Sequence, residues 1–307
     1  MLRGKFTEHQ YLNLIKNIIK TGNRVVGRNG PVYSKLGIMM QYQLRNGEIP
    51  LITTKKLAWK TCLRELLWFI KGVPDNELLS KNNVKIWDGN STREYLDSIG
   101  LEHYREGELG PIYGYQWRNW NKPYTTLNNI DEMNNSVEPI YGSFSNKEGI
   151  DQLQNIIDTL KDKEKRQSRR LIMTAWNPEQ IEEMALPPCH VLSQFHVSEK
   201  NELSCTLYQR SGDVGLGIPF NMASYGILTC LLAEHTGLLP GKLIHNIGDA
   251  HIYENHIPEL KDQIKRTPYP SPLLTIEKKD IIDDYNLIDF RVNNYKYHPP
   301  IYMPMIA

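Results

Sequence analysis

Residues 222–234 are apolar on nearly every side of a helical wheel, and Gly237 follows where the run would stop. A helix without a polar face cannot lie on a surface, so the rest of the chain must enclose it. No internal repeat is visible along the sequence. The 307 residues, 40% of them hydrophobic, can build a substantial core, as one large domain or two ordinary ones.

Around that helix the pattern is mixed. Tyr11, Leu12, Leu14, Ile15, Ile18 and Ile19 recur at helical spacing and stop at Gly22, and a glycine-rich segment, 22–37, follows. Residues 57–71 predict a second helix, in which Glu65 has Thr61, Cys62, Trp68 and Phe69 as its i±3 and i±4 neighbours. A carboxyl in that apolar setting should have a raised pKa. Residues 121–149, rich in Asn, Ser and Gly, read as an exposed insertion. Helical periodicity returns at Leu153, Ile156, Ile157 and Leu160, and between 171 and 210 short runs such as 191–197 read as strands. Helices interleaved with strands predict a mixed α/β or α+β fold, here a single domain spanning 1–307.

A formal charge of +1 supplies no global field for nucleic acid, so an anion must be held by local arginines. The four cysteines show no paired C-x-x-C spacing, and the start Met-Leu-Arg-Gly-Lys leads into no signal-like apolar stretch. These features predict a reduced, cytoplasmic setting. No apolar run reaches the roughly 18–20 residues of a bilayer span.

The chemistry concentrates around Cys189, which stands in Leu-Pro-Pro-Cys-His at 186–190. Two prolines fix the backbone before it, and His190 follows. The strand-like run 203–210 ends in Arg210, whose charge would favour the nucleophilic thiolate. A lone cysteine is otherwise a small apolar filler.

Four ordered blocks then carry a family likeness: 186–190, Gln209-Arg210-Ser211-Gly212-Asp213, Gly217-Ile218-Pro219-Phe220-Asn221, and Gly248-Asp249-Ala250-His251-Ile252-Tyr253. Together with Glu65-Leu66-Leu67-Trp68-Phe69, Lys85-Ile86-Trp87-Asp88, Gly110-Pro111-Ile112-Tyr113-Gly114 and Arg169-Arg170, they closely resemble the folate-dependent thymidylate synthases over nearly the whole chain.

The resemblance implies a large twisted mixed sheet flanked by helices, two copies packing sheet to sheet, and reductive methylation of deoxyuridylate (dUMP) with 5,10-methylenetetrahydrofolate as co-substrate and no metal. It assigns Cys189 as nucleophile, Glu65 to proton transfer, Tyr113 and His190 to the water network that removes the carbon 5 proton, and Asn221 to uracil O4 and N3–H. Asn221 could otherwise cap the following helix. The phosphate would be gripped by Arg28, Arg210 and Ser211, with Arg169 and Arg170 donated by the second copy. Gln209, Gly212 and Asp213 would complete the nucleotide site, with His251 and Tyr253 reaching the sugar. Ile86, Trp87, Asn90, Asp213, Leu216, Gly217, Phe220 and Ile306 would contact the folate.

Two departures stand out. The loop at 27–33 lacks the family's threonines, which leaves Arg28 as the best match and Arg24 as the fallback. The tail ends Met305-Ile306-Ala307, placing Ile306 where the family has alanine. Two other outcomes of the same fold are a deoxyuridylate hydroxymethylase and a non-catalytic nucleotide- or RNA-binding relative. DNA binding is not expected, and association with a dihydrofolate reductase is left open, as is a nuclear location in a eukaryote.

Overall fold

The computed structural model of the chain describes residues 7–27, 29–127 and 149–305. Arg28, Ile306 and most of the expected insertion (128–148) therefore lie outside the described residues.

The glycine-rich segment after helix α1 (His9–Thr21) is a hairpin of two strands, β1 (Asn23–Gly27) and β2 (Gly30–Gln43). Gly30 and Gly37 adopt φ of 107° and 66°, values that glycine reaches without strain, and this is how a glycine-rich stretch becomes strand. The sheet is completed by β3 (Ile172–Thr174), β4 (His190–Val197), β5 (Glu202–Asp213) and β6 (Leu239–Tyr253), in the order β1-β2-β6-β5-β4-β3. All neighbours are antiparallel except β5 and β6, which are parallel. A small second sheet pairs β7 (Leu273–Ile276) with β8 (Phe290–Asn293). Sheet and helices together bear out the mixed α/β expectation.

A parallel pair needs a crossover, and the wholly apolar helix provides it. Numbered in chain order, the helices after α1 are α2 (Trp59–Lys71), α3 (Glu77–Ser80), α4 (Arg93–Ser98), α5 (Tyr113–Arg118), α6 (Gln152–Lys161), α7 (Gly217–Thr236) and α8 (Ile257–Gln263). The crossover is α7, which starts five residues before the apolar run because Pro219 sits in its first turn, where a missing N–H costs nothing. It ends at Gly237 in the left-handed region (φ 71°). Ile218, Met222, Ile227, Leu228, Leu231 and Leu232 are all buried along it, each contributing about 1.5–3 kcal/mol relative to exposure.

Strand alternation sends Leu203, Cys205, Leu207, Gln209, Leu243, His245 and Ile247 to the buried face. The alternation breaks at one level in three adjacent strands: Leu36 and Gly37, Arg210 and Ser211, Gly248 and Asp249. Leu36 pairs with Asp249 and Asp249 with Ser211, so the irregularities stack across the sheet. On the other face Leu36, Met39 and Tyr208 are 73%, 59% and 45% exposed.

Against α7 lies α2, with Cys62, Leu63, Glu65 and residues 66–70 buried and Gly72 closing its end at φ 68°. Helix α5 approaches α2 so closely that a Cβ on Gly114 would stand 2.3 Å from the Phe69 carbonyl oxygen. The backbone of Trp120 and Ile150 is bridged in both directions at 2.9–3.0 Å, which ties together the two ends of the 121–149 segment.

Candidate active site

Cys189 sits at the foot of β4. Its N–H donates to the Tyr113 hydroxyl at 2.7 Å, and its carbonyl accepts from Arg210 N–H at 2.9 Å. The Arg210 guanidinium is held by the two prolines before the cysteine: Nε donates to the Pro188 carbonyl at 3.0 Å and Nη2 to the Pro187 carbonyl at 2.9 Å. It also lies over the Trp176 ring at 5.5 Å, a contact that sequence reading missed. The expectation of a lowered thiol pKa needs correction. Burial pushes the Cys189 thiol up, and the opposing Arg210 charge and Tyr113 hydroxyl do not cancel it. Raised above an ordinary value that already exceeds neutrality, the group is a thiol at neutral pH.

Tyr113 opens α5 at φ 24°, an uncommon region for a bulky residue. Its ring stacks on Phe69 (4.9 Å) and meets Trp87 (5.7 Å) and His190 (5.2 Å) edge-on. Burial raises its hydroxyl pKa strongly, so its proton stays on. His190 is driven down to about 4 by burial, with an Asn221 hydrogen bond opposing, and is neutral at physiological pH. Its Nδ1 is buried without a hydrogen-bond partner.

Asn221 lies within the first turns of α7 rather than at its cap. Its Oδ1 accepts from Gln209 Nε2 at 2.8 Å, while the same Nε2 donates to the Ser211 carbonyl at 2.9 Å. Gln209 Oε1 meets His245 Nε2 at 2.8 Å. Gly212 is what makes room, because a Cβ there would stand 3.0 Å from Gln209 Nε2 and 2.3 Å from Ile218. His245 was missed in the sequence, although a lone polar residue at an inward strand position between Leu243 and Ile247 was the available signal.

The raised pKa expected for Glu65 in an apolar setting is borne out. Its carboxylate is buried on α2 and accepts one bond, from Trp87 Nε1 at 2.9 Å. Burial raises its pKa from 4.5 to about 7, against the lowering effect of Trp87. No arginine neutralises it among the described residues.

Asp213 closes the turn into α7, accepting from Gly215 N–H at 2.8 Å and Leu216 N–H at 3.1 Å. Beside it, Lys55 donates to the Gly215 carbonyl at 2.6 Å, its pKa lowered to about 8 by burial despite Asp213. His256 Nδ1 is 3.8 Å from Asp213, too long for a direct hydrogen bond, and His256 Nε2 donates to the Pro304 carbonyl at 2.7 Å. Burial lowers the His256 pKa, but Asp213 and that carbonyl prevail and leave it raised. Neither Lys55 nor His256 was singled out by sequence, since their partners, Gly215 and Pro304, lie far along the chain.

Ile86, Leu216, Gly217 and Phe220 are half-buried, and Asn90 is buried near Trp87. His251 and Tyr253 share one side of β6, with rings 5.4 Å apart. Arg169 and Arg170 are exposed in the turn before β3 and make no ion pair with the described residues. Arg24 pairs with Glu254 at 3.0 Å. No group of three metal-ligating side chains occurs among the described residues, and no described helix is long and apolar enough to cross a membrane. A cavity of about 240 Å³ bounded by Glu8, Tyr42, Met222 and Tyr269 contains none of the residues above.

The site thus brings together a thiol just before β4, a carboxyl on α2 with a pKa near neutrality and an amide in the first turns of α7. Residues 9–307 match the thymidylate synthase family, and the chain belongs to that family of methyltransferases. It is 49% identical to the thymidylate synthase of Homo sapiens over 300 residues, covering 97% of this chain and 90% of the human one. The thymidylate synthase of Ascaris suum is 47% identical over 300 residues, 97% and 96% of the two chains. The bifunctional dihydrofolate reductase-thymidylate synthase of Leishmania amazonensis is 47% identical over 301 residues, and the chain spans about half (55%) of that relative's length.

Proposed function

We propose that the chain converts deoxyuridylate to thymidylate, with Cys189 adding to carbon 6 of the uracil ring. Addition there makes carbon 5 nucleophilic and places negative charge on O4. Asn221 Nδ2 donates to that oxygen while Oδ1 accepts N3–H, so the same amide binds the base and stabilises the developing charge. Tyr113, a neutral hydroxyl, and His190, a neutral imidazole, order the water that removes the carbon 5 proton. Glu65, with a pKa of about 7, can both give and take a proton at physiological pH.

Methylenetetrahydrofolate is the co-substrate of this reaction and supplies the one-carbon unit and the hydride. The residues fit such a group: Trp87, Leu216 and Phe220 offer an apolar platform, and the Asp213 carboxylate keeps acceptor capacity beyond its two backbone bonds. Ile86, Asn90, Gly217 and Ile306 complete the assignment. Arg28, Arg210 and Ser211 take the phosphate, and His251 and Tyr253 the sugar.

The site is completed by a second copy of the chain. In support, the outer sheet face exposes the large apolar side chains of Leu36, Met39 and Tyr208. Arg169 and Arg170, exposed and in no ion pair among the described residues, are then the residues donated across the interface. The chain acts as one catalytic domain in the cytoplasm, with 121–149 as an insertion.

The observation carrying the reading is Cys189, pinned between the Tyr113 hydroxyl and the Arg210 strand end. Incubation with deoxyuridylate tritiated at carbon 5 and methylenetetrahydrofolate should release tritium and form dihydrofolate together. Tritium without dihydrofolate would replace the reading by hydroxymethylation, and neither signal would leave only nucleotide binding.

A further inference from the structure

Ser211 offers Gln209 a backbone carbonyl, which can only accept, so the end of the Gln209 amide facing it is the NH₂ group. The other end, Oε1, therefore faces His245 Nε2, 2.8 Å away, and that nitrogen must carry the ring proton. His245 Nδ1 is left bare, in keeping with its burial without any hydrogen-bond partner. At the far end, the Gln209 NH₂ group can only donate, so the Asn221 atom 2.8 Å from it is the carbonyl oxygen. The orientation of one side-chain amide thus follows, bond by bond, from a backbone carbonyl and an imidazole tautomer.

Resting on the reading of Asn221 as the base-binding residue, we infer that His245 is a positioning residue that locks Asn221, through Gln209, in the orientation that accepts uracil and refuses cytosine. Uracil presents an acceptor at position 4 and a donor at N3; cytosine presents the reverse. An Asn221 amide turned by 180° would fit cytosine as well as the present one fits uracil. Without a donor at position 245, Gln209 Oε1 is a buried acceptor with no partner, and the amide is driven to rotate in search of one. His245 is fully buried on the inner face of β6, and its ring has one hydrogen-bond partner among the described residues, Gln209. Burial holds its pKa near 3, with neighbouring His190 adding to the effect, so the lock does not open over the physiological range.

The test compares dissociation constants for deoxyuridylate and deoxycytidylate, by calorimetry, in the parent and in His245→Phe, His245→Gln and Asn221→Asp. His245→Phe should lower the preference for deoxyuridylate about tenfold, the scale of one buried hydrogen bond. His245→Gln, whose Nε2 can donate from nearly the same place, should restore most of it. A merely structural role would weaken both nucleotides alike and leave the ratio unchanged. Asn221→Asp reports on the underlying reading: if it leaves base preference unaltered, Asn221 does not read the base. If it shifts preference while His245→Phe does not, the inference about His245 alone fails. Nitrogen-15 NMR of the parent gives a readout independent of any variant, expected to show the Nε2–H tautomer for His245; the Nδ1–H tautomer would overturn the proposal.

Discussion

Replacing Glu65 by glutamine should separate the stability of this fold from its activity. The Glu65 carboxyl moves from an ordinary pKa of 4.5 to about 7 because burial on α2 disfavours its charge. At about 1.4 kcal/mol per pKa unit, that displacement amounts to a penalty of about 3 kcal/mol for the ionised form. Between pH 4.5 and 7 the folded chain keeps a proton that the unfolded chain has released. Stability therefore falls as pH rises through that window, and the full penalty stands above it. Glutamine retains an oxygen for Trp87 Nε1 and carries no charge at any pH. Urea unfolding at pH 4 and pH 8, followed by tryptophan fluorescence at one protein concentration, should show the Glu65→Gln variant gaining about 3 kcal/mol on the parent between the two conditions. The same variant should lose at least ~100-fold in kcat, as expected for removal of a general acid or base, along with any kcat limb near pH 7. A stability gap that does not change with pH would refute the reasoning.

Arg210→Gln should shift iodoacetamide labelling of Cys189 to still higher pH, because the charge opposing the burial penalty is removed; the other three cysteines are buried and stay silent. An unchanged midpoint would mean that Arg210 does not act on the thiol. Gly114→Ala places a methyl group 2.3 Å from the Phe69 carbonyl and should cost about 1–3 kcal/mol, read as a fall in Tm. Mixing an inactive Cys189→Ser chain with an inactive Arg169→Ala/Arg170→Ala chain should restore activity through one complete site per mixed dimer. Absence of recovery would count against arginines donated between copies.

The parts of this fold legible in the sequence were those with a local physical signature. The apolar run at 222–234 announced α7 because a helix lacking a polar face has one place to go, and the Glu65 environment followed from i±3 and i±4 neighbours alone. The true start of α7 was hidden by Pro219, a residue that breaks helices except in the first turn. Residues 22–37 gave no period because their glycines serve turns and irregularities within β1 and β2. Within the site, motif positions were readable, but what holds them was not. Arg210 leans on the carbonyls of Pro187 and Pro188, His256 on that of Pro304, and His245 on Gln209, pairings between residues far apart in sequence. Nor could residue type show that burial would outweigh Arg210 at the thiol, because that balance depends on enclosure.

The parallel pairing of β5 with β6 has a consequence for how the base-binding amide comes into being. Gln209, Asn221 and His245 belong to three successive elements, and they meet only when the outgoing strand, the crossover and the returning strand have all docked. Recognition is therefore inseparable from the nucleus of the domain: amide protons flanking these three residues should exchange with solvent at the slow rate of global unfolding, while the margins of the sheet breathe freely.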